Sequence, residues 1–536
     1  MMTFASPKSP NVPSEADMAR GNRHLSWLNI SVICLVMSTV FYRLSYTVAD
    51  PDLWGHIKFG QDVWQTGNII QSDIYSYLTG DQLWINHNWL AEAIFYPIFA
   101  QAGPAGLIVL KVAVSLLMAG LVYRHLCRQG LTPLRAGIVL LAVTLLLIGG
   151  LVTVRPQMFT FLFFLLVLLL IYQVERGHPR LLWGAPPLFA LWANIHGGFL
   201  AGIGILLIWS FAHLAFVLFR ARRPGVLISP STLVIPLAVM ASVLATFLNP
   251  YGVQLLKFLL RTATVPRPEI SEWQPLAIMS KVGVLYITVL AVAVAGLLYS
   301  RRERIPALIL VFGCASLLPL VAFRHLPLFG LAVAVLAGEH MGDAWDRLSA
   351  GRRSSGSVAD ARWPRPWLTG LSLVGAIVMV GLALPNFGCI RLDSRLNAIY
   401  PVRAIGLLKQ SGISGNLAIY FDWGEYALWH VGPRVKVSVD GRRETVYSAE
   451  IYRKNWKFYL GTDDWDALIR EHETQLALVT KKRPVFNLMQ LVPGWLLVYE
   501  DPMAGLFVRK GSLLVEQIQG TDPPALPYDG AGLCFP

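Results

Sequence analysis

Residues 49–56 read Ala49-Asp50-Pro51-Asp52-Leu53-Trp54-Gly55-His56, and they begin where the first long hydrophobic run ends. Two carboxylates and an imidazole therefore stand where a membrane helix meets water. That is a costly position for ionisable groups unless they have a function. Asp52 and His56 are four residues apart, so a helix puts them on one face, within reach of one ligand. The plainer alternative is that Asp52 only caps a helix over 53–65.

Composition extends this reading to the whole chain. Of 536 residues, 55% are hydrophobic and 14% charged, less charge than a soluble chain carries. The apolar runs reach roughly the 17–22 residues that cross a bilayer core. Spans are predicted near 25–46, 104–123, 136–153, 157–174, 181–195, 198–219, 233–249, 282–299, 305–322, 326–340 and 367–385, eleven in all. The fifth is the weakest, short and interrupted by Pro186-Pro187. Residues 1–24 are polar and read as a disordered tail, and the first span reads as an uncleaved signal anchor.

The net charge of +13 is scattered over short loops and reports topology rather than a nucleic-acid partner. Arginines cluster at 124, 128 and 135, at 176 and 180, at 220, 222 and 223, at 301, 302 and 304, and at 347, 352, 353, 362 and 365. These alternate loops share one side with the N-terminus, and the positive-inside rule makes that side cytoplasmic. Eleven spans then put the C-terminal region outside the cytoplasm. Of five cysteines, four lie in or near apolar spans, where a cysteine is usually a small core residue. No CxxC occurs, so no structural zinc is expected, and a Cys389–Cys534 disulfide is the lesser alternative.

The first outer loop, 47–103, holds two amphipathic stretches, 57–64 and 89–100, and is rich in Trp and Tyr, which predicts helices lying in the membrane interface. A shorter loop at 250–281 is similar. Residues 390–536 carry more charge and shorter apolar runs. Strands are predicted at 417–421, 435–439, 476–479, 496–499 and 505–508, helices at 448–460 and 464–473, and a hairpin turn at Glu500-Asp501-Pro502. The fold class is thus an all-α polytopic membrane bundle (25–389) followed by a small extracytoplasmic α/β domain (390–536).

With this topology the unusual polar residues sort onto the outer face. Transfer of a glycosyl group from a lipid phosphate to a hydroxyl needs a carboxylate base for the acceptor and cations for the departing phosphate. Asp52, with Asp50 as the alternative, can supply the base. Arg155, Arg267 and Arg324 can clamp phosphate, since guanidinium forks match its oxygens and stay charged. The competing reading of Arg155 and Arg324 is snorkelling to the interface. Asn194, His196, Glu269, Glu272 and His325 are candidate substrate-binding groups. His56 can orient the base or, with Asp50 and Asp52, ligate a divalent metal ion. His87 and Glu92 read as interfacial surface.

Asp50-Pro51-Asp52-Leu53-Trp54-Gly55-His56, Gly60, Asp73-Ile74-Tyr75-Ser76-Tyr77 and His87-Asn88-Trp89-Leu90-Ala91-Glu92 together resemble a group of bacterial multi-span proteins related to the GT-C glycosyltransferases, including the protein O-mannosyltransferase and aminoarabinose transferase types. Arg155-Pro156-Gln157, Trp192-Ala193-Asn194-Ile195-His196-Gly197-Gly198, Asp422-Trp423-Gly424-Glu425-Tyr426 and Asp440-Gly441-Arg442 belong to the same pattern. The resemblance implies a polyprenyl-phosphate-linked sugar donor, an extracytoplasmic site in the bacterial inner membrane, an aspartate base in the first outer loop, and a glycan, lipid or protein acceptor. One departure stands out: Gly55 replaces a tryptophan usual in the group. Single-displacement, inverting chemistry is the expected reaction. A transporter or flippase of lipid-linked sugars, or a non-catalytic assembly protein of a polysaccharide system, are the competing classes. Polar groups massed at one interface and the absence of repeats argue against a transporter.

Overall fold

The computed structural model describes residues 15–80, 82–221, 230–263, 265, 267, 270–353, 366–392 and 400–536. Long apolar sequence makes a helical bundle. Its helices are α1 (Glu15–Ser45), α2 (Asp52–Thr66), α3 (Trp89–Arg128), α4 (Pro133–Leu151), α5 (Gln157–Glu175), α6 (Ala185–Ile195), α7 (Phe199–Ala221), α8 (Pro230–Ala245), α9 (Val253–Ala263), α10 (Lys281–Tyr299), α11 (Pro306–Val321), α12 (Leu326–Ala332), α13 (Gly338–Arg353) and α14 (Pro366–Ala383).

Each of the eleven predicted spans coincides with helix, but only seven described helices are both apolar and at least 18 residues long. The others are short or broken. Leu233–Ala245 and Pro306–Val321 fall below that length. The 181–195 segment divides into a 3₁₀ turn and α6. The 326–340 segment passes from α12 through a π-helical stretch, Val333–Ala337, into α13. The chain is a multi-pass membrane protein. α3 joins an interfacial segment to a span at a kink, where Gly103 takes φ 58° ahead of Pro104, a conformation glycine adopts without penalty.

The C-terminal domain, called the outer domain after the topology expected from the sequence, contains α15 (Val402–Gln410), β1 (Gly415–Ile419), α16 (Gly424–Val431), β2 (Val435–Val437), α17 (Ala449–Leu460), α18 (Ala467–Glu471), β3 (Leu476–Thr480), α19 (Val485–Gln490), β4 (Trp495–Glu500), β5 (Ala504–Arg509) and α20 (Leu514–Gln519). The predicted strands and helices are all present, within a few residues. The sheet order is β2-β1-β3-β5-β4. β1 is parallel to β2 and β3, whereas β5 runs antiparallel to both β3 and β4. Helices provide the crossovers that parallel strands require.

Three features tie this domain to the bundle. The first outer loop adds to the β2 edge, Val437 N donating to Tyr75 O at 3.2 Å. Trp54 of α2, fully buried, packs on Tyr400, Tyr426 and Phe535 with ring centroids 4.5–5.1 Å apart. Cys389 and Cys534 are joined as a disulfide. The pairing weighed as the lesser alternative is therefore the one formed. Cys389 lies just past the last membrane helix rather than in an apolar core.

Candidate active site

α2 starts where Pro51 supplies a preset helical φ. Asp50, not Asp52, satisfies its first turn: Asp50 Oδ1 accepts from the Asp52 backbone N at 3.1 Å. No side chain at Pro51, the capping position, bonds the helix. Asp52 is thereby left to face the space between bundle and outer domain. There it meets Arg155, which ends the α4–α5 connection. Arg155 Nη2 pairs with Asp52, Nε with Asp50 at 3.3 Å, and Nη1 with Glu272 at 3.2 Å. Arg324, in the turn between α11 and α12, approaches Glu272 at 4.0 Å. Arg267 and Arg324 both lie over the Trp273 ring, at 3.6 and 4.5 Å. Three arginines from three separate connections are thus gathered around Glu272 and Trp273, held by charge and by the ring face.

The electrostatics follow from one guanidinium serving three acids. Arg155 holds the Glu272 carboxyl below its ordinary range. Burial, with Asp52 and Glu272 nearby, pushes Asp50 up to about 7 despite the same arginine. On the far side, His56 Nδ1 meets Glu92 Oε1 at 3.0 Å, and Asn86 donates to Glu92 Oε2 at 2.6 Å. Glu92 is 2% exposed, so the expectation of an interfacial surface position is corrected. The carboxylate is buried because an imidazole and an amide meet both of its oxygens. His87 is half-buried, and desolvation pushes its imidazole down to about 4.

These groups line one cavity of about 660 Å³. Its walls include Asp50, Asp52, His56, His87, Glu92, Arg155, His196, Arg267, Glu272 and Arg324. His196 is anchored by Thr160, whose hydroxyl lies 2.8 Å from Nδ1. Asn194 and His325 lie outside this lining. The Asn194 amide donates to Ala190 O and Leu248 O and accepts from Trp89, so it fastens helix ends together. His325 Nδ1 pairs with Leu318 O at 3.3 Å. Glu269 falls outside the described residues.

The outer domain supplies the remaining wall: Tyr420, Phe421, Asp422, Glu425, Gly441, Arg442, Arg443, Thr445, Tyr452 and Trp456. Glu425 is the residue that sequence reasoning missed. It is 4% exposed, and its Oε2 has no hydrogen-bond partner. Burial, reinforced by Asp52, holds its carboxyl well above the ordinary range. It stands beside Asp52: a Cβ placed on Gly441 would lie 2.5 Å from Asp52 Oδ1 and 2.7 Å from Glu425 Oε1. It also explains Gly55, where a Cβ would fall 2.2 Å from Glu425 Oε2. The space left by the absence of a side chain at Gly55 is the one this carboxyl occupies. Arg442 is fully enclosed, donating to Asp73 at 2.7 Å and to Asp440 at 2.6 and 2.9 Å. It packs among Phe59, Tyr75 and Trp84.

The proposed metal ligands do not fit an ion in this arrangement. Asp50 and Asp52 are directed to Arg155 and His56 to Glu92. Among the described residues no group of three or more His, Cys, Asp or Glu side chains is arranged to hold a metal.

No family model matches the chain, and no curated protein matches it in sequence. Solved structures do. The oligosaccharyltransferase AglB of Archaeoglobus fulgidus, in complex with an inhibitory peptide and a dolichol-phosphate, aligns over 93% of this chain and 77% of its own, with TM-score 0.53 and 13% identity. The same organism's oligosaccharyltransferase tethered to an acceptor peptide aligns over 85% and 69%, with TM-score 0.54 and 14% identity. ArnT of Cupriavidus metallidurans bound to undecaprenyl phosphate aligns over 91% and 99%, with TM-score 0.50 and 11% identity.

Proposed function

We propose that this chain, a multi-pass membrane protein with the GT-C fold, is a glycosyltransferase that moves a sugar from a polyprenyl-phosphate donor to a hydroxyl-bearing acceptor. The observation that carries this reading is a junction. An apolar groove of about 120 Å³, lined by Leu145, Leu146, Ile148, Val282, Phe323, Leu326 and Pro327, shares Arg155, Glu272 and Arg324 with the polar cavity. A lipid phosphate has the matching form: an apolar tail for the groove and an anion for the arginines. AglB and ArnT, similar in fold, were solved with dolichol-phosphate and undecaprenyl phosphate.

In the proposed reaction the acceptor oxygen attacks the anomeric carbon while the bond from that carbon to the phosphate oxygen breaks. The hydroxyl proton passes to Asp52, and the leaving phosphate keeps the bonding electrons. Arg155, Arg267 and Arg324 then meet the charge that grows in the transition state. A phosphate entering at Arg155 competes with Asp52 for the guanidinium, so donor binding frees the base. Glu425, whose Oε2 has no hydrogen-bond partner, holds the acceptor hydroxyl beside Asp52. Single displacement from the opposite face gives inversion. No step depends on a metal ion.

The arginine-rich loops support a cytoplasmic N-terminus. The Cys389–Cys534 bridge supports an oxidising, extracytoplasmic setting for the outer domain, in a bacterial inner membrane. The test is purification followed by mass spectrometry of bound lipid, then turnover with undecaprenyl-phosphate-linked sugars in liposomes. Co-purified polyprenyl phosphate and its release from the donor are expected. Movement of intact lipid-linked sugar across the bilayer without release would favour a flippase instead.

A further inference from the structure

On α17, Tyr452, Trp456 and Tyr459 recur at spacings of four and three, so they share one helix face. The same helix buries Phe458 in a separate core with Leu468, Met489 and Phe507. The three other rings are only half-buried and are directed elsewhere. They form a ladder. Tyr452 and Trp456 lie within 8° of parallel, centroids 6.4 Å apart, and Trp456 follows to Tyr459 at 5.8 Å. Tyr459 stacks on Tyr420 at 4.0 Å. Phe421 meets Tyr452 edge-on at 6.0 Å. Tyr420, Phe421, Tyr452 and Trp456, all of these rings but Tyr459, line the cavity that contains Asp52 and Glu425.

The ladder has a polar rim. Asp422, its carboxyl pushed up to about 6 by burial, sits beside Tyr420. Arg443 lies over Tyr452 at 4.8 Å and Arg483 over Tyr459 at 5.4 Å. Thr445 is also in the cavity wall. Arg443 has φ 40°, a backbone state costly to a side chain with a Cβ and concentrated at functional sites.

We infer that this ladder is the acceptor subsite and that the acceptor is a carbohydrate chain. A sugar ring presents C–H groups on its faces and hydroxyls on its edge. The faces match the electron-rich face of Trp456 in the cavity wall, and the edge hydroxyls match the Asp422 carboxyl, the Arg443 guanidinium and the Thr445 hydroxyl of the same wall. A lipid tail would be poorly served by a surface fringed with charge. A peptide would draw on backbone hydrogen bonding, which a helix face of rings does not offer. A ladder longer than one ring suits a chain of sugars, whose end unit would reach the cavity while the preceding units rest on the outer domain. The inference builds on the transferase reading above and names its acceptor class.

The experiment uses the full chain in lipid nanodiscs. Chitohexaose, cellohexaose and a linear mannohexaose are the sugar probes, with a serine- and threonine-rich peptide as the competitor. Binding is read by tryptophan fluorescence and by saturation transfer from protein to probe. At least one oligosaccharide is expected to bind. Trp456→Ala should weaken that binding about tenfold, the loss expected for one aromatic contact. Trp456→Phe, which keeps an apolar ring, should recover most of it and guards against misfolding. In turnover, Tyr452→Ala and Trp456→Ala should raise KM for the sugar acceptor and leave polyprenyl-phosphate binding unchanged. Binding of the peptide in place of every sugar, or full oligosaccharide affinity in Trp456→Ala, overturns the inference. Sugar binding without any release of polyprenyl phosphate would leave the ladder standing and overturn the transferase reading instead.

Discussion

Gly55→Ala is the sharpest perturbation the structure offers. The added methyl carbon would lie 2.2 Å from Glu425 Oε2 and 2.3 Å from its Cδ. A C–H···O contact relaxes at about 3.3–3.6 Å, so the Glu425 carboxyl must retreat by about 1.1 Å or more. The clash falls on the end of a flexible side chain bordering a cavity, so its cost in stability is below the 1–3 kcal/mol usual for overpacking. Replacing glycine by alanine within α2 returns about 0.8–1.0 kcal/mol of helix propensity. Net stability should therefore change little. Activity should not be spared, because a misplacement of about 1 Å at a reacting centre can cost about 10²-fold. The expected result is a hundredfold lower kcat with thermal unfolding of the detergent-solubilised protein within a few degrees of wild type. Glu425→Asp, shorter by one methylene, should partly rescue the Gly55→Ala background. Wild-type kcat in Gly55→Ala, or a double variant no better than the single, would refute the reasoning that Glu425 is held against Gly55 for function.

Arg442→Ala strips two buried carboxylates, Asp73 and Asp440, of their cation and should cost about 3–5 kcal/mol. Limited proteolysis should then show the outer domain released from the first loop. Arg155→Lys and Arg324→Lys keep charge but not the fork, so each should slow turnover roughly tenfold to a hundredfold. Full activity in the lysine variants would mean that these arginines only snorkel. Asp50 has its pKa raised to about 7 from an ordinary 3.8, so the stability it contributes is complete below about 3.8 and is lost as pH rises through 7. Over the same rise its new charge competes for Arg155, and KM for the donor should increase; Asp50→Asn should abolish both pH dependences.

The helical architecture was legible because its signal is local. Apolar length marks a span, and proline at Pro51 and Pro156 marks where α2 and α5 begin. The acids after the first span were legible for the same reason, since an ionisable group at a helix end needs no partner to look unusual. What stayed hidden depends on pairing across the chain. Arg442 bonds Asp73 across a sequence separation of 369, and Cys389 meets Cys534 across one of 145. Glu425 belongs to the Asp422–Tyr426 stretch, but its spacing gives it no role until the fold brings it to Gly55. Asn194 differs: it lies outside the cavity lining, and its amide N–H groups are bonded to backbone carbonyls. Which face an element presents can be read from position in the chain, whereas the direction of a polar side chain at a helix end depends on neighbours that sequence spacing does not reveal.

This explains why the candidate site is divided between two architectures. On the proposed reading the bundle offers arginines where a lipid phosphate would arrive, but a bundle left open at that end would expose the reacting centre to water. Hydrolysis of the donor would then compete with transfer. The outer domain closes that end with Tyr420, Phe421 and Glu425. It is fastened by a buried ion pair, an aromatic cluster around Trp54 and a disulfide. Attachments of such different chemistry are more than covering a surface requires. They make sense if a carboxyl from one domain must be held beside a carboxyl from the other, since activity then depends on the junction as much as on either part.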